Sequence, residues 1–219
     1  MEPTTKPNQT NEYTKVIALT FDDGPNTTTT VQVLEKLEKY DVTASFFVIG
    51  NHINPSTAKV IKRAFSMGCE IANHSQTHSF MNQMEAEAIE KEIQFTSDKI
   101  LEITGVSPNF FRPPYIAVND IMYEHINLPF ICGHGAEDWV DTVTAQQRAQ
   151  RILDQVSDGS IILLHDMEGN IKTVDALDIL IPKLKEQGYQ FVTVSELFKI
   201  KGVVPSNHDK ITYTNVGHN

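Results

Sequence analysis

The sequence predicts an α/β fold in which parallel strands form a small, distorted or incomplete (β/α) barrel. Two observations lead to this prediction. Short apolar runs alternate with amphipathic, helix-like segments, and about seven such runs fit into roughly 180 residues. The 219 residues, 40% of them hydrophobic, are enough for one domain with a single core. An open, doubly wound parallel sheet is the alternative that the same alternation allows.

The predicted strands are short apolar runs that end at turn-forming residues. Gly24-Pro25 follows the first run and Pro113-Pro114 follows the fourth, where the chain can no longer donate backbone hydrogen bonds at the prolines. The predicted strands span residues 16–21, 44–49, 70–73, 109–112, 130–132, 161–164 and 190–194.

The predicted helices carry apolar residues at helical spacing. In the first helix, Val31, Leu34 and Leu37 fall on one face. Gly68 and Gly105 follow the second and third helices, at positions where glycine commonly ends a helix. The predicted helices span residues 30–40, 56–67, 85–104, 144–156, 174–187 and 195–198.

The two ends of the chain are more polar than the middle. Residues 1–14 contain two prolines and several threonines, and we predict a disordered, linker-like segment there. Residues 15–202 are expected to form the domain, and residues 203–219 a loose polar tail. Cys69 and Cys132 lie in apolar surroundings without CxxC spacing, so we expect buried thiols, with one disulfide as the alternative.

The chain is acidic, with a formal net charge of -10 and a pI near 5.2. It therefore lacks the basic surface that binding to nucleic acid or to an anionic membrane requires. No apolar run reaches the roughly 18 residues that a membrane span needs. A neutral or weakly charged substrate fits this composition best.

Polar side chains follow the predicted strands at the points where the strands end. In a parallel barrel these strand ends share one face, where active sites are built. Core packing alone would not require such clustering. The residues at these ends are Asp22, Asp23, Asn73, His74, Arg112, His165 and Asp166.

The Asp pair and a pair of histidines suggest a metal site. Asp22 and Asp23 stand at a turn where one carboxylate can bind a cation while the other stays free as a base. His74 and His78 are four residues apart and would share one face of a helical turn. Two His and one Asp leave coordination positions open, as catalytic sites do. The alternatives are an Asx turn for the aspartates and surface positions for the histidines.

Two further residues fit an acid–base site. His165, after an apolar run, could be a general acid tuned near neutral pH, whereas a lone His is more often a core residue. Arg112 could hold a neighbouring carboxylate ionised, or it could be structural.

Together these residues resemble the five motifs of the NodB-homology polysaccharide deacetylases, carbohydrate esterase family 4. The motifs occur in family order, and the resemblance covers the chain from about residue 16 to 198. They are Thr20-Phe21-Asp22-Asp23-Gly24-Pro25, His74-Ser75-Gln76-Thr77-His78, Arg112-Pro113-Pro114-Tyr115, Asp138-Trp139 and Leu163-Leu164-His165-Asp166.

The resemblance implies a distorted barrel and a bound divalent cation, zinc in most members and cobalt or another metal in some. Asp23, His74 and His78 would be the metal ligands. It also implies an extracellular enzyme acting on an acetylated polysaccharide. An export signal and further modules of a larger enzyme would then lie outside this sequence, since its first residues are not a signal peptide.

Catalytic roles follow from the same resemblance. Asp22 would be the base and His165 the acid, with Arg112 orienting Asp22 and Asp138 tuning His165. Tyr115 would offer its backbone N–H to the oxyanion. The residues implied to line the pocket for the acetyl methyl group are Trp139 and Leu163.

One departure from the family pattern concerns the substrate. Many members have glycine after the Tyr of the third motif, whereas this chain has Ile116. The segment between residues 138 and 166 resembles the clostridial acetylxylan esterase branch most, so hydrolysis of O-acetyl esters of xylan is predicted. Removal of N-acetyl groups from peptidoglycan or chitin is the alternative, because it uses the same residues.

Two interpretations from other classes compete with this one. An iron oxygenase with two His and one carboxylate would match the ligand set, but such sites usually lie on antiparallel β barrels. A sugar-binding domain without activity is the other, and the complete set of catalytic residue types argues against it.

Overall fold

The computed structural model describes residues 15–208 and 210–217. The prediction for residues 1–14 lies outside the described residues. The strands are β1 Lys15–Asp22, β2 Ser45–Val48, β3 Glu70–Asn73, β4 Phe130–Ile131, β5 His134–Gly135, β6 Ile161–His165, β7 Tyr189–Val192 and β8 Thr212–Tyr213. The α-helices are α1 Thr29–Tyr40, α2 Thr57–Ser66, α3 Ala86–Thr104, α4 Asp120–His125, α5 Ala145–Leu153, α6 Ile171–Glu186 and α7 Val194–Lys201.

The main sheet is parallel, in the order β3-β2-β1-β6-β5, and β7 pairs with the amino-terminal half of β1. Single parallel bridges join Asn73 to Phe111 and Phe111 to Phe130. Through these bridges the curved row of strands, an arc, continues from β3 to β4. Crossover helices connect most of these strands, as parallel pairing requires. The predicted parallel α/β arrangement is therefore confirmed, and its strands form a distorted barrel.

The C-terminal segment spans the gap between the two ends of this arc. Strand β8 pairs in parallel with β4. Beyond it, Ile161 N donates to Thr214 O at 3.0 Å and Val216 N donates to Gly159 O at 2.8 Å. Val216 is 2% exposed. The structure thus differs from the prediction of a loose tail, because backbone hydrogen bonds and a buried valine hold residues 210–217 on the domain.

Other differences from the predicted elements are local. The predicted strand 109–112 makes only one bridge on each side, at Phe111, and the prolines at 113 and 114 prevent its extension. Helix α4 and strands β5 and β8 were not predicted, since they are too short to show a periodic pattern. Both cysteines are free thiols, as predicted; Cys69 is buried, which raises its pKa to about 11, whereas Cys132 is only partly buried.

Alternation along β1 decides which side chains enter the barrel. Ile17, Leu19 and Phe21 pack in the large cluster formed with the surrounding helices. Val16 and Ala18 belong to a second cluster on the opposite face. Since side chains alternate along a strand, Asp22 shares the inner face with Val16 and Ala18. Strand register pairs Asp22 with His165 of β6, so the two arrive together at the carboxyl ends of the strands.

Candidate metal centre and active site

Asp23, His74 and His78 converge on one point at the carboxyl ends of β1 and β3. Their ligand atoms all lie within 4.8 Å of one another. Asp23 Oδ1 is 3.4 Å from His74 Nε2 and 3.3 Å from His78 Nε2. These three residues are the ones that the resemblance implied as metal ligands.

The donor set fits a divalent cation. Asp23 Oδ1 is buried and makes no hydrogen bond to any described residue, which is costly for a carboxylate oxygen without a positive partner. His74 Nδ1 lies 2.7 Å from the Arg112 carbonyl oxygen, so it donates there and leaves the Nε2 lone pair facing Asp23. Two imidazoles and one carboxylate are ligands that suit zinc and its divalent neighbours.

The electrostatics of these residues agree with ligation. Burial raises the pKa of Asp23, but the close approach of His74 and the charges of the nearby histidines outweigh burial and lower the pKa to about 2. The pKa of His78 is lowered by burial first and by His74 next. Both shifts favour the forms that bind metals, an ionised carboxylate and a neutral imidazole.

The loop that carries the two histidines is not the helical turn that we predicted. Ser75 has φ 68° and His78 has φ 59°, both in the left-handed region that non-glycine residues rarely adopt. Ser75 Oγ accepts a hydrogen bond from His78 N at 2.9 Å. The four-residue spacing therefore brings the histidines together through an irregular loop rather than through helical periodicity.

Asp22 stands beside this group with a guanidinium behind it. Arg112 Nη1 donates to Asp22 Oδ1 at 2.5 Å, and the other oxygen, Oδ2, lies 3.8 Å from His74 Nε2. Arg112 is fully buried, with its guanidinium 4.1 Å from the centre of the Phe47 ring. The structure thus places Arg112 where it can orient Asp22, as the sequence suggested.

Asp138 holds His165, which ends the strand next to Asp22. Asp138 Oδ1 lies 2.8 Å from His165 Nδ1, and Asp138 Oδ2 accepts from the His165 backbone N–H at 2.8 Å. Burial lowers the pKa of His165, but the hydrogen bond to Asp138 and its charge outweigh burial and raise the pKa to about 9. At neutral pH the imidazole is therefore protonated and can act as an acid.

A buried polar network behind Asp138 was missed by the sequence analysis. Thr173 Oγ1 donates to Asp138 Oδ2 at 2.8 Å, and Asn170 Nδ2 approaches the same oxygen at 3.4 Å. Arg148, 2% exposed, donates to Asn170 Oδ1 and Thr173 Oγ1. One signal could have found it, because Arg148 occupies a core-facing position four residues before Ile152 in the predicted helix.

Asp166 points away from the centre, under the loop after β1. The residue is 1% exposed, and its carboxyl group accepts a hydrogen bond from Thr30 Oγ1. Burial and the charges of Asp23 and Asp22 raise its pKa to about 7 against the effect of Thr30. A Cβ on Gly24 would lie 2.5 Å from Asp166 Oδ2, so the loop that carries Asp23 leaves room only for glycine there.

Aromatic side chains flank the centre on two sides. The Trp139 ring, 56% exposed, stands edge-on to His165 with ring centroids 5.4 Å apart. Tyr115, also 56% exposed, lies 4.7 Å from the His78 ring and stacks on Phe80 at 4.0 Å. Leu163 is on the same face of β6 as His165 and is 7% exposed. Phe80 was missed, although a large apolar residue in a polar loop is a usable signal.

Comparison with known proteins places the chain in a family. The family model described as "Polysaccharide deacetylase" matches residues 9–128. A bifunctional xylanase/deacetylase of Pseudobutyrivibrio xylanivorans is 53% identical over 197 residues, which are 90% of this chain and 33% of that protein. The peptidoglycan-N-acetylmuramic acid deacetylase PdaC of Bacillus subtilis is 39% identical over 201 residues, 91% of this chain and 41% of that protein.

A solved structure agrees with both the fold and the family. A family 4 acetyl xylan esterase from Clostridium thermocellum, in complex with a cobalt ion, superposes with a TM-score of 0.90 at 45% identity. The match covers 92% of this chain and 99% of that one. The chain spans about a third of the length of the first of these curated relatives and about two fifths of the length of the second.

Proposed function

This chain belongs to the polysaccharide deacetylase family, and on that premise we propose that it removes O-acetyl groups from xylan by metal-dependent hydrolysis. One observation carries the proposal. The Asp23, His74 and His78 group lies beside a carboxylate held by Arg112, and the strand paired with that carboxylate ends in a protonated imidazole held by Asp138. A base, an acid and a cation site beside each other are what ester hydrolysis requires.

The metal would be held by Asp23, His74 and His78, and we propose zinc, with cobalt or another divalent cation as the alternative. When bound, a divalent cation supplies Lewis-acid stabilisation of the negative charge that develops on the acetyl carbonyl oxygen. One carboxylate oxygen and two imidazole nitrogens are donors that suit that role.

The side chains around the metal site divide the proton transfers between them. Asp22 accepts a proton from the attacking water, since Arg112 holds one carboxylate oxygen and leaves the other facing the site. His165 donates a proton to the sugar oxygen as its bond to the acetyl carbon breaks. Acetate and a free sugar hydroxyl group are the products.

Further residues orient the acetyl group in this proposal. The backbone N–H of Tyr115 would donate to the oxyanion, and such a donor is typically worth about 3 kcal/mol. Trp139 and Leu163 would contact the acetyl methyl group, because both flank His165 on the inner side of the site. The exposed Phe80 and Tyr115 rings would contact the sugar chain beside the metal site.

The proposed preference for xylan is based on the sequence identities to two relatives. The xylanase/deacetylase is 53% identical to this chain, whereas the peptidoglycan deacetylase is 39% identical. An N-deacetylase remains the second candidate, favoured by the raised pKa of His165. An amine leaving group needs a proton donor more than an alcohol does.

We further propose that the domain acts outside the cell as one module of a longer protein. A polysaccharide cannot cross a membrane, and the chain covers only 33% of its xylanase/deacetylase relative. Within the described residues, the helices are all too short or too polar to cross a membrane. Deacetylase activity in the culture medium of the source organism, and not in washed cells, is the expected result.

Acetate release tests the proposed function. Metal-loaded protein is incubated with acetylated xylan and, separately, with N-acetylglucosamine oligomers, each with a chelator-treated control. We expect release from xylan that the chelator abolishes. Release only from the amino-sugar oligomers would assign the N-deacetylase function, and no release from either would contradict the catalytic interpretation.

A further inference from the structure

We infer that Glu92 is a positioning residue of the metal centre, whose buried carboxylate holds the loop between His74 and His78 in the shape that ligation requires. None of the five motifs contains Glu92, which lies in the second turn of α3. The inference rests on the metal site of the proposed function. It concerns how tightly that site binds its ion.

Glu92 receives three hydrogen bonds from this one loop. Its Oε2 accepts from the backbone N–H groups of Gln76 at 2.9 Å and Thr77 at 2.8 Å. Its Oε1 accepts from Thr77 Oγ1 at 2.8 Å. The side chain is thus fully engaged by the residues between the two histidines, and hydrogen bonds to a carboxylate are stronger than those between neutral groups.

The loop needs this anchor because it belongs to neither a helix nor a strand. Left-handed backbone at Ser75 and His78 turns its N–H groups at residues 76 and 77 toward α3. Without an acceptor there, two partly buried donors would be left unsatisfied. Strained backbone of this kind persists only where the surroundings over-determine it.

A second contact from the same helix supports this assignment. Thr96, one helical turn after Glu92, donates from Oγ1 to the Ser75 carbonyl oxygen at 2.9 Å. The face of α3 that contacts the loop therefore offers an acceptor, Glu92, to the loop's N–H groups and a donor, Thr96, to one of its carbonyl oxygens. By contrast, Glu87 and Glu90 of α3 are exposed and pair with Lys91 and His125, respectively.

Loss of the anchor would affect the ligands directly. His74 and His78 direct their Nε2 atoms at the same oxygen of Asp23, from 3.4 Å and 3.3 Å. That convergence depends on the path of the backbone between them. Partners behind metal ligands typically change metal affinity roughly 10- to 100-fold when they are removed.

The test is Glu92→Gln, which keeps the side-chain size but replaces one acceptor oxygen with a donor. Glu87→Gln on the exposed face of the same helix is the matched control. Metal-stripped proteins are titrated with Zn²⁺ and Co²⁺ by calorimetry, and the visible absorption of the Co²⁺ forms is recorded. Thermal unfolding of the metal-free proteins is measured alongside.

We expect Glu92→Gln to bind both ions roughly 10- to 100-fold more weakly, with an altered Co²⁺ spectrum and with activity restored by excess metal. Glu87→Gln should match the wild type. Wild-type affinity and spectrum in Glu92→Gln, even with a lowered melting temperature, would show a merely structural role and overturn the inference. A wild-type protein that binds neither ion would instead overturn the proposed function itself.

A milder variant covers the case in which Glu92→Gln does not fold. Thr77→Val removes the hydrogen bond from Thr77 Oγ1 to Glu92 Oε1, together with the contact of the same hydroxyl group with Ser79 Oγ, and leaves both backbone donors in place. We expect a loss of metal affinity of a few fold, smaller than that of Glu92→Gln. Unchanged affinity in a folded Thr77→Val protein would contradict the inference.

Discussion

Asp22 and His165 occupy paired positions on neighbouring strands, and a charged residue behind each one holds its side chain in place. Arg112 stands behind Asp22 at 2.5 Å and Asp138 behind His165 at 2.8 Å. The guanidinium orients the carboxylate of Asp22, whereas the negative charge of Asp138 raises the pKa of His165 to about 9 and favours the imidazolium. A proton donor and an oriented carboxylate therefore stand side by side, as an acid and a base must.

Asp22→Asn tests the base at the scale of one residue. The amide keeps the shape of the side chain and an oxygen for Arg112, but it cannot accept the proton of the attacking water. We expect activity to fall roughly 100- to 10,000-fold while the protein still binds metal stoichiometrically. Initial rates on acetylated xylan and metal content are measured, with the exposed Asp154→Asn as control. Near-normal activity with metal bound would contradict the role of Asp22.

Asp138→Asn tests the acid through its pH dependence. With a pKa of about 9, His165 holds its proton at neutral pH, so activity should decline only as the pH rises through about 9. Without the Asp138 charge, burial lowers the pKa of His165, and the alkaline limb should move to lower pH. Rates between pH 6 and pH 10 measure this shift. The fully exposed Asp141→Asn is the control, and an unmoved alkaline limb would contradict the assignment.

Phe80→Ala tests the contact of the exposed rings with the sugar chain. The Phe80 ring is 46% exposed and covers one face of Tyr115, which lies next to the metal ligand His78. We expect KM for acetylated xylan to rise several-fold with little change in kcat, and hydrolysis of a small aryl acetate to stay unchanged. Phe65→Ala, 38% exposed on α2, is the control. An equal effect on both substrates would place Phe80 outside polymer binding.

At the scale of elements, the apolar strands determine where the site lies, and the polar residues at their carboxyl ends form it. Period-two alternation along β1 and β6 turns Asp22 and His165 inward, which strand patterns reveal without a structure. The clustering of these side chains at one face was therefore predictable from the sequence, and the family resemblance supplied the choice of Asp23, His74 and His78 as metal ligands. The path of the loop between His74 and His78, and the network of Arg148, Asn170 and Thr173 behind Asp138, were not predictable. They depend on side chains from distant helices that no local pattern reports.

Gly24→Ala tests the packing between the loop after β1 and the loop after β6. The loop after β1 carries Asp23 and packs at Gly24 against Asp166, which follows β6. An added Cβ would meet the Asp166 carboxyl group at 2.5 Å, so one loop must move. We expect weaker metal binding and a loss of about 1–3 kcal/mol in stability. Gly135→Ala, where the added Cβ meets nothing within 4 Å, is the control, and calorimetry and thermal unfolding report both quantities.

For the whole molecule, stability and chemistry are separated along the strands. The site lies at the carboxyl ends, whereas the C-terminal segment binds residues 159 and 161 at the amino end of β6. Val216 is 2% exposed there, and Tyr213 stands edge-on to Phe198 with ring centroids 4.9 Å apart. This division matches the usual arrangement of barrels, in which one face serves catalysis and the other stability.

Val216→Asp tests this separation. A carboxylate forced into that buried position should cost about 3 kcal/mol, which corresponds to a fall of roughly 10 °C in Tm for a chain of this size. Below that Tm, kcat and metal affinity should equal those of the wild type, because the variant leaves the carboxyl ends of the strands untouched. Val204→Asp, 86% exposed, is the control and should change neither quantity. An unchanged Tm would show that the C-terminal segment does not stabilise the barrel. Lost metal binding at 25 °C in folded protein would instead show that the two faces are coupled.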